Sequence, residues 1–148
     1  MSAPLTQAEI RRYTFAGNST ITLQSGNTDR RYTYRVTRCK TNEDAYFVKL
    51  LRGPNNTSDY TYIGCYFADT NYFYANSTWR DKLRKQWPPS MRAIAYFFEH
   101  LDNMPANLYV WRENYCASCG RKLTTPESIS CGYGPECLER IKHISANL

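Results

Sequence analysis

Across residues 31–37 the chain alternates strictly, with Tyr32, Tyr34 and Val36 on one side and Arg31, Thr33 and Arg35 on the other. A period of two belongs to an extended strand, whose successive side chains point to opposite faces, so this stretch predicts a strand with one packed and one cationic face. Further β-prone runs lie at residues 12–16, 19–24, 45–51, 60–67 and 72–74. Between them stand Gly17 with Asn18, Gly26 with Asn27, residues 41–44 and residues 53–56, all rich in residues that tolerate turn dihedrals. Consecutive strands joined by short turns predict an antiparallel meander.

The period changes after Pro88 and Pro89. Ser90 is placed to cap a helix, and Met91, Ile94, Ala95, Phe98 and Leu101 recur at helical spacing before Asn103, Met104 and Pro105 end the pattern. Such a stripe needs an apolar partner, and the sheet supplies one. Residues 108–112 read as a last strand that enters a cysteine-rich tail with no Gly/Ser spacer, so the tail is expected to pack on the sheet. The first ten residues read as a tail or a weak helix. The expected fold is α+β: an antiparallel sheet covered by one amphipathic helix over residues 1–112, then a treble-clef-like zinc module over 113–148.

The tail carries the chemistry. Cys116-x2-Cys119 is followed by Gly120, which lets the chain turn without a Cβ clash, so both sulfurs of this knuckle can face one ion. Residues 121–123 read as a short strand. Gly132, Gly134 and Pro135 then turn the chain into a final helix over about 135–146, with Cys137 in its first turn, where the helix dipole favours a thiolate. Cys116, Cys119, Cys131 and Cys137 are the expected ligands of a single structural Zn²⁺, with His143 as the alternative to Cys131 for the fourth position. Disulfides are the competing use of these cysteines. The N-terminal stretch shows no positively charged start followed by an apolar run, and an unexported chain keeps its thiols reduced.

The stretch from Cys116 to Cys137, with Cys-Gly-Arg at 119–121, Leu123, Pro126 before Ser128, and Gly132, Gly134, Pro135 and Cys137, resembles an uncharacterised zinc-cysteine domain of bacteriophage and some actinobacterial proteins. The resemblance implies zinc and a phage origin, and with it the cytoplasm of a bacterial host. It implies no activity.

Charge locates a possible partner surface. The net charge is +6, and residues 11–52 hold nine Lys/Arg against three Asp/Glu, whereas residues 116–148 hold four against three. Thirteen Tyr, six Phe and three Trp accompany the cations. Rings on a sheet beside Arg and Lys can stack unpaired bases while the cations neutralise phosphates, although Tyr is also simply a good strand former. A second basic segment, Trp79 to Trp87, contains Arg80, Lys82, Arg84 and Lys85. The expected binding residues are Arg31, Arg35, Arg38, Arg80, Lys82, Arg84 and Lys85, and the expected partner is nucleic acid or an acidic host-protein surface. In the second case the chain would be a phage inhibitor of a host defence complex, comparable to an anti-CRISPR protein.

Other classes fare worse. No apolar run approaches the ~20 residues needed to span a bilayer. The histidines are His100 and His143, neither in a recognisable triad or metal spacing, and the His-x-Glu of zinc deaminases and the Lys-Ser/Thr of a phosphate-binding loop are both missing. Four thiolates leave no open position on zinc for water, so a non-enzymatic binding protein is expected. Cys39 and Cys65 are expected to be buried, reduced thiols.

Overall fold

The alternation at residues 31–37 becomes the centre of a sheet. The structure, a computed structural model, describes residues 3–55, 57–113, 115–118, 120, 122, 136, 137, 139 and 140. Among these, six strands form one antiparallel sheet: β1 (Asn18–Ser25), β2 (Arg31–Arg38), β3 (Ala45–Leu51), β4 (Tyr60–Phe67), β5 (Tyr72–Ala75) and β6 (Leu108–Arg112). Their spatial order is β5-β4-β3-β2-β1-β6. The first five strands are the expected meander. The chain then recrosses the sheet through a helix and adds β6 beside β1.

Residues 12–16 are a correction. They were expected to be extended, yet residues 7–14 form helix α1 (Gln7–Thr14). The Thr6 N–H and hydroxyl both donate to Glu9 Oε1, at 2.9 and 2.8 Å, the half of a capping box in which the third helical residue reaches back to the cap and satisfies its N–H. Ile10, Tyr13 and Thr14 then fall on one buried face at helical spacing. Two helices, not one, therefore flank the sheet among the described residues.

Helix α2 (Pro89–Glu99) starts at Pro89, and Ser90 is not its cap. Proline fits the first helical position because its missing N–H would have no partner there. Ser90 is buried instead, and its carbonyl accepts the Tyr34 hydroxyl at 2.5 Å, pinning the helix start to β2. The expected stripe Met91, Ile94, Ala95, Phe98 and Leu101 is buried, and so is Phe97 beside it. Helix α1 is tied to the chain just beyond α2 by Gln7 Nε2 donating to Leu101 O at 2.7 Å and by the Arg11–Asp102 ion pair at 2.5 Å.

One face of the sheet is thus packed. Tyr34, Val36, Val48, Ile63, Tyr66, Phe73 and Val110 meet the helices there. Phe98 lies at its centre, stacked on Tyr66 with ring centroids 4.2 Å apart and planes at 12°. The other face holds Thr20, Thr22, Thr33, Arg35, Thr37, Phe47, Lys49, Tyr62, Cys65, Phe67, Tyr72, Tyr74, Tyr109 and Trp111, by strand parity and register. Helices α1 and α2 lie on the opposite side, and several rings on this face are exposed.

A β-bulge sets that division. Val48 pairs with Gly64 and Lys49 with Tyr62, so two residues on β3 oppose three on β4, and the register shifts between Val48 and Lys49. Ile63 is absorbed into the packed side and Tyr62 is turned to the open one. Gly64 next to the bulge sits so close to β5 that an added Cβ would overlap the Tyr74 carbonyl oxygen and come within 2.6 Å of the Phe73 ring. Gly64→Ala is therefore expected to lower the unfolding free energy by about 1–3 kcal/mol. In a denaturant titration the midpoint should fall with the slope preserved; an unchanged midpoint would refute the crowding.

The end of β6 turns back over the open face. Tyr115 pairs with Lys122 in an antiparallel bridge, the Gly120 N–H donates to Cys116 O at 2.8 Å, and Gly120 has φ +80°. This is the glycine turn expected after Cys119. Asn18 at the start of β1 fastens it, with its backbone N–H donating to Ala117 O at 2.8 Å and its side-chain amide to Ser118 O at 2.9 Å. Cys116, Ala117 and Cys137 join the core cluster of the sheet. The short strand expected at 121–123 lies, apart from Lys122, outside the described residues.

Candidate functional site

The open face concentrates exposed rings. Phe47, Tyr62, Tyr72, Tyr74 and Tyr109, five of the seven large hydrophobic residues that are exposed among the described residues, belong to it and are between 39% and 55% accessible. Four of the five form a strip over β3, β4 and β5. Phe47 meets Tyr62 edge-on at 6.3 Å, Tyr74 lies 4.4 Å from Tyr72, and Phe67 meets Tyr74 edge-on at 5.5 Å. An apolar patch of this kind, left uncovered on a protein surface, is characteristic of a binding site.

Cations border the strip. Arg35 lies with its guanidinium 4.3 Å from the Tyr60 ring centroid and 5.6 Å from that of Tyr115, while Arg31 lies 5.6 Å from Trp111 at the far corner of the face. The buried part of Tyr60 raises the pKa of its phenol, an effect that Arg35 opposes, and burial likewise raises Tyr62. Arg80 reaches the edge of the strip, where it lines a pocket of about 450 Å³ with Tyr62, Phe67, Asp69 and Tyr74 and donates from Nε to Ala75 O at 3.2 Å.

The other expected binding residues lie elsewhere. Arg38 shares the parity of Tyr34 and Val36, and it is held on the packed side by Phe15 O at 2.9 Å and the Tyr46 hydroxyl at 3.1 Å. Arg84 pairs with Glu99 of α2 and lines a cavity of about 680 Å³, which lies between α2 and the ends of β1, β2 and β6. Trp79 and Trp87 anchor their segment by packing on the core, and Trp87 Nε1 donates to Trp79 O at 2.9 Å. Lys82 and Lys85 are exposed, Lys82 with its ammonium 5.8 Å from the Trp79 ring. The structure therefore brings Arg31, Arg35 and Arg80 to the aromatic face and leaves Arg38 and Arg84 off it.

Sequence reasoning passed over Lys49, Tyr115 and Lys122. Lys49 was legible from its parity with Phe47 on β3, whereas Tyr115 and Lys122 reach the face only through the long-range docking of their turn. They line, with Arg35, a pocket of about 410 Å³ at the end of the strip.

Cys116 and Cys137 are 0% and 5% exposed. Glu136, Cys137, Glu139 and Arg140 are helical, in keeping with the final helix expected there. Cys119, Cys131 and His143 lie outside the described residues, and among the described residues no three His, Cys, Asp or Glu side chains are grouped to hold an ion. Cys65 is buried, which raises its pKa, but Cys39 is only half-buried, a correction to its expected burial, and hydrogen bonds from Thr41 lower its pKa.

Residues 106–142 match a family of unknown function (DUF6011). The matched stretch takes in β6, the Tyr115–Lys122 turn and the four cysteines from Cys116 to Cys137. No curated protein and no solved structure matches the chain. Among the described residues no helix is long and apolar enough to cross a membrane.

Proposed function

We propose that the protein binds single-stranded nucleic acid on the open face of its sheet. One observation carries the reading: the sheet face opposite α1 and α2 holds the exposed strip Phe47, Tyr62, Tyr72 and Tyr74, bordered by Arg35 and Arg80. Unpaired bases have two apolar faces and stack on such rings, while guanidinium groups neutralise the phosphates between them. A duplex hides its base faces and cannot use the strip.

Fluorescence anisotropy with single-stranded DNA, RNA and duplex DNA at two salt concentrations tests this. Single strands are expected to bind more tightly than duplex, with affinity falling as salt rises. Tyr62→Ala and Tyr74→Ala should each weaken single-strand binding by about 1–3 kcal/mol. Tyr96→Ala removes an equally exposed ring from α2 and should leave binding unchanged. Equal losses from all three, or no binding at low salt, would refute the reading. An acidic protein surface is the competing partner, since Tyr and Arg also dominate protein interfaces; it would show as a stoichiometric complex with a host protein and negligible affinity for any strand.

Cys116, Cys119, Cys131 and Cys137 would hold one structural Zn²⁺ in this reading. The glycine turn at Gly120 and the burial of Cys116 and Cys137 suit such a site. The ion would fix the turn that overhangs the face and take no part in a reaction. A phage origin and a bacterial cytoplasm are part of the same proposal, and they rest on the resemblance at Cys116 to Cys137 alone.

A further inference from the structure

We propose that the pocket beneath the Tyr115–Lys122 turn receives the terminal phosphate of the bound strand. The proposal rests on the strand-binding reading and names one subsite within it.

The pocket is built from two parts of the chain. Arg35 of β2 and Lys49 of β3 are directly paired across the sheet, and Lys122 comes from the overhanging turn. Thr20, Thr37 and Thr57 add hydroxyl groups to the lining. Three cations that share a pocket of about 410 Å³ repel one another, and among the described residues no carboxylate lines it. Among the described residues the three have no ion-pair partner. Glu113 is the carboxylate nearest in sequence to the turn, and it is engaged by the Thr22 hydroxyl at 2.5 Å. Arg35 is held between the Tyr60 and Tyr115 rings, which fix its guanidinium without neutralising it. An anion with several acceptor oxygens relieves the repulsion and takes up the hydroxyl donors as well.

Two features favour a terminal phosphate over an internal one. A phosphomonoester carries about −1.5 to −2 at neutral pH, against −1 for a diester, and three cations gain most from the larger charge. Geometry points the same way. The Tyr115 and Thr57 hydroxyls, which both line the pocket, meet at 3.5 Å, so the overhanging turn and the β3–β4 connection close on each other there. The pocket suits an end.

The test compares one short single-stranded oligonucleotide carrying a 5′-phosphate, a 3′-phosphate or hydroxyls at both ends, titrated against the full chain and against Lys122→Gln, Lys49→Gln and Lys122→Arg. One phosphorylated end is expected to bind about tenfold more tightly than the hydroxyl form. The ratio should fall to about one in Lys122→Gln and Lys49→Gln and survive in Lys122→Arg. Equal affinity for all three oligonucleotides would overturn the inference and leave strand binding intact. A preference that persists in both glutamine variants would overturn it too. A parallel titration with a nucleoside monophosphate and its nucleoside separates the two readings: phosphate-dependent, Lys122-dependent binding of the monophosphate with no binding of any oligonucleotide would uphold the pocket and refute the strand.

Discussion

Phe98→Ala is expected to lower the unfolding free energy by about 3–5 kcal/mol. Phe98 is almost fully buried at the meeting point of four rings: it stacks on Tyr66 at 4.2 Å, and Phe97, Phe73 and Phe15 lie at 5.5, 5.6 and 6.3 Å. Removing it leaves a cavity bounded by α1, α2, β4 and β5, and rigid rings around it cannot collapse to fill the space. For a chain of this size the melting temperature should drop by about 10 °C or more. Calorimetry or circular dichroism measures it. Phe98→Leu, which keeps most of the volume, should cost less than half as much, and a loss below about 1 kcal/mol for the alanine variant would mean that the ring is not at the centre of the core.

Cys116→Ser should have an effect of similar or larger size, through the metal. If four thiolates hold zinc, the free energy of binding in such modules is on the order of 10 kcal/mol at neutral pH, and it is released only when the turn and the final helix are in place. The wild-type chain is expected to carry one Zn²⁺ by elemental analysis, and Cys116→Ser to carry less than about a tenth of that. Cys39→Ser and Cys65→Ser should retain it, since neither lies in the tail. The damage should be readable on the sheet, because the Asn18 N–H donates to Ala117 O of the turn: its hydrogen exchange should quicken in Cys116→Ser while the Phe98 amide stays protected. A metal-free wild-type protein whose melting ignores chelators would remove zinc from the proposal.

Much of this architecture was legible because the sheet is built from local hairpins. In β2, β3, β4 and β6 the β-branched and aromatic runs end where Gly, Pro, Asn or Asp begins, and these strands lie where the pattern placed them. Helix α1 was misread because Tyr13, Thr14 and Phe15 favour strands individually, and the Thr6–Glu9 capping box was given no weight against them. Phe97, three residues after Ile94 and four before Leu101, lies at the edge of the apolar stripe of α2, so its burial was legible from the same helical spacing and was passed over. The position of Arg38 could have been read from its parity with Tyr34 and Val36. That of Arg84 could not, because its partner Glu99 is fixed only by the fold. The bulge at Ile63 was equally hidden: it is a property of the β3–β4 pairing and not of β4 alone, yet it decides that Tyr62 joins the open face.

The placement of β6 sets an order of assembly. Strands β1 to β5 each pair with a neighbour made moments earlier, but the second side of β1 waits for residues 108–112, and Leu5 completes the arrangement by donating its N–H to Val110 O. Until then β1 is an open edge that another copy of the chain can pair with, so nascent or C-terminally shortened chains should be the ones that aggregate. Lys122 reaches Arg35 and Lys49 only after that edge has closed. The pocket formed by these three cations is thus assembled last, and the proposed strand-end site would exist only once residues 108–122 have joined β1.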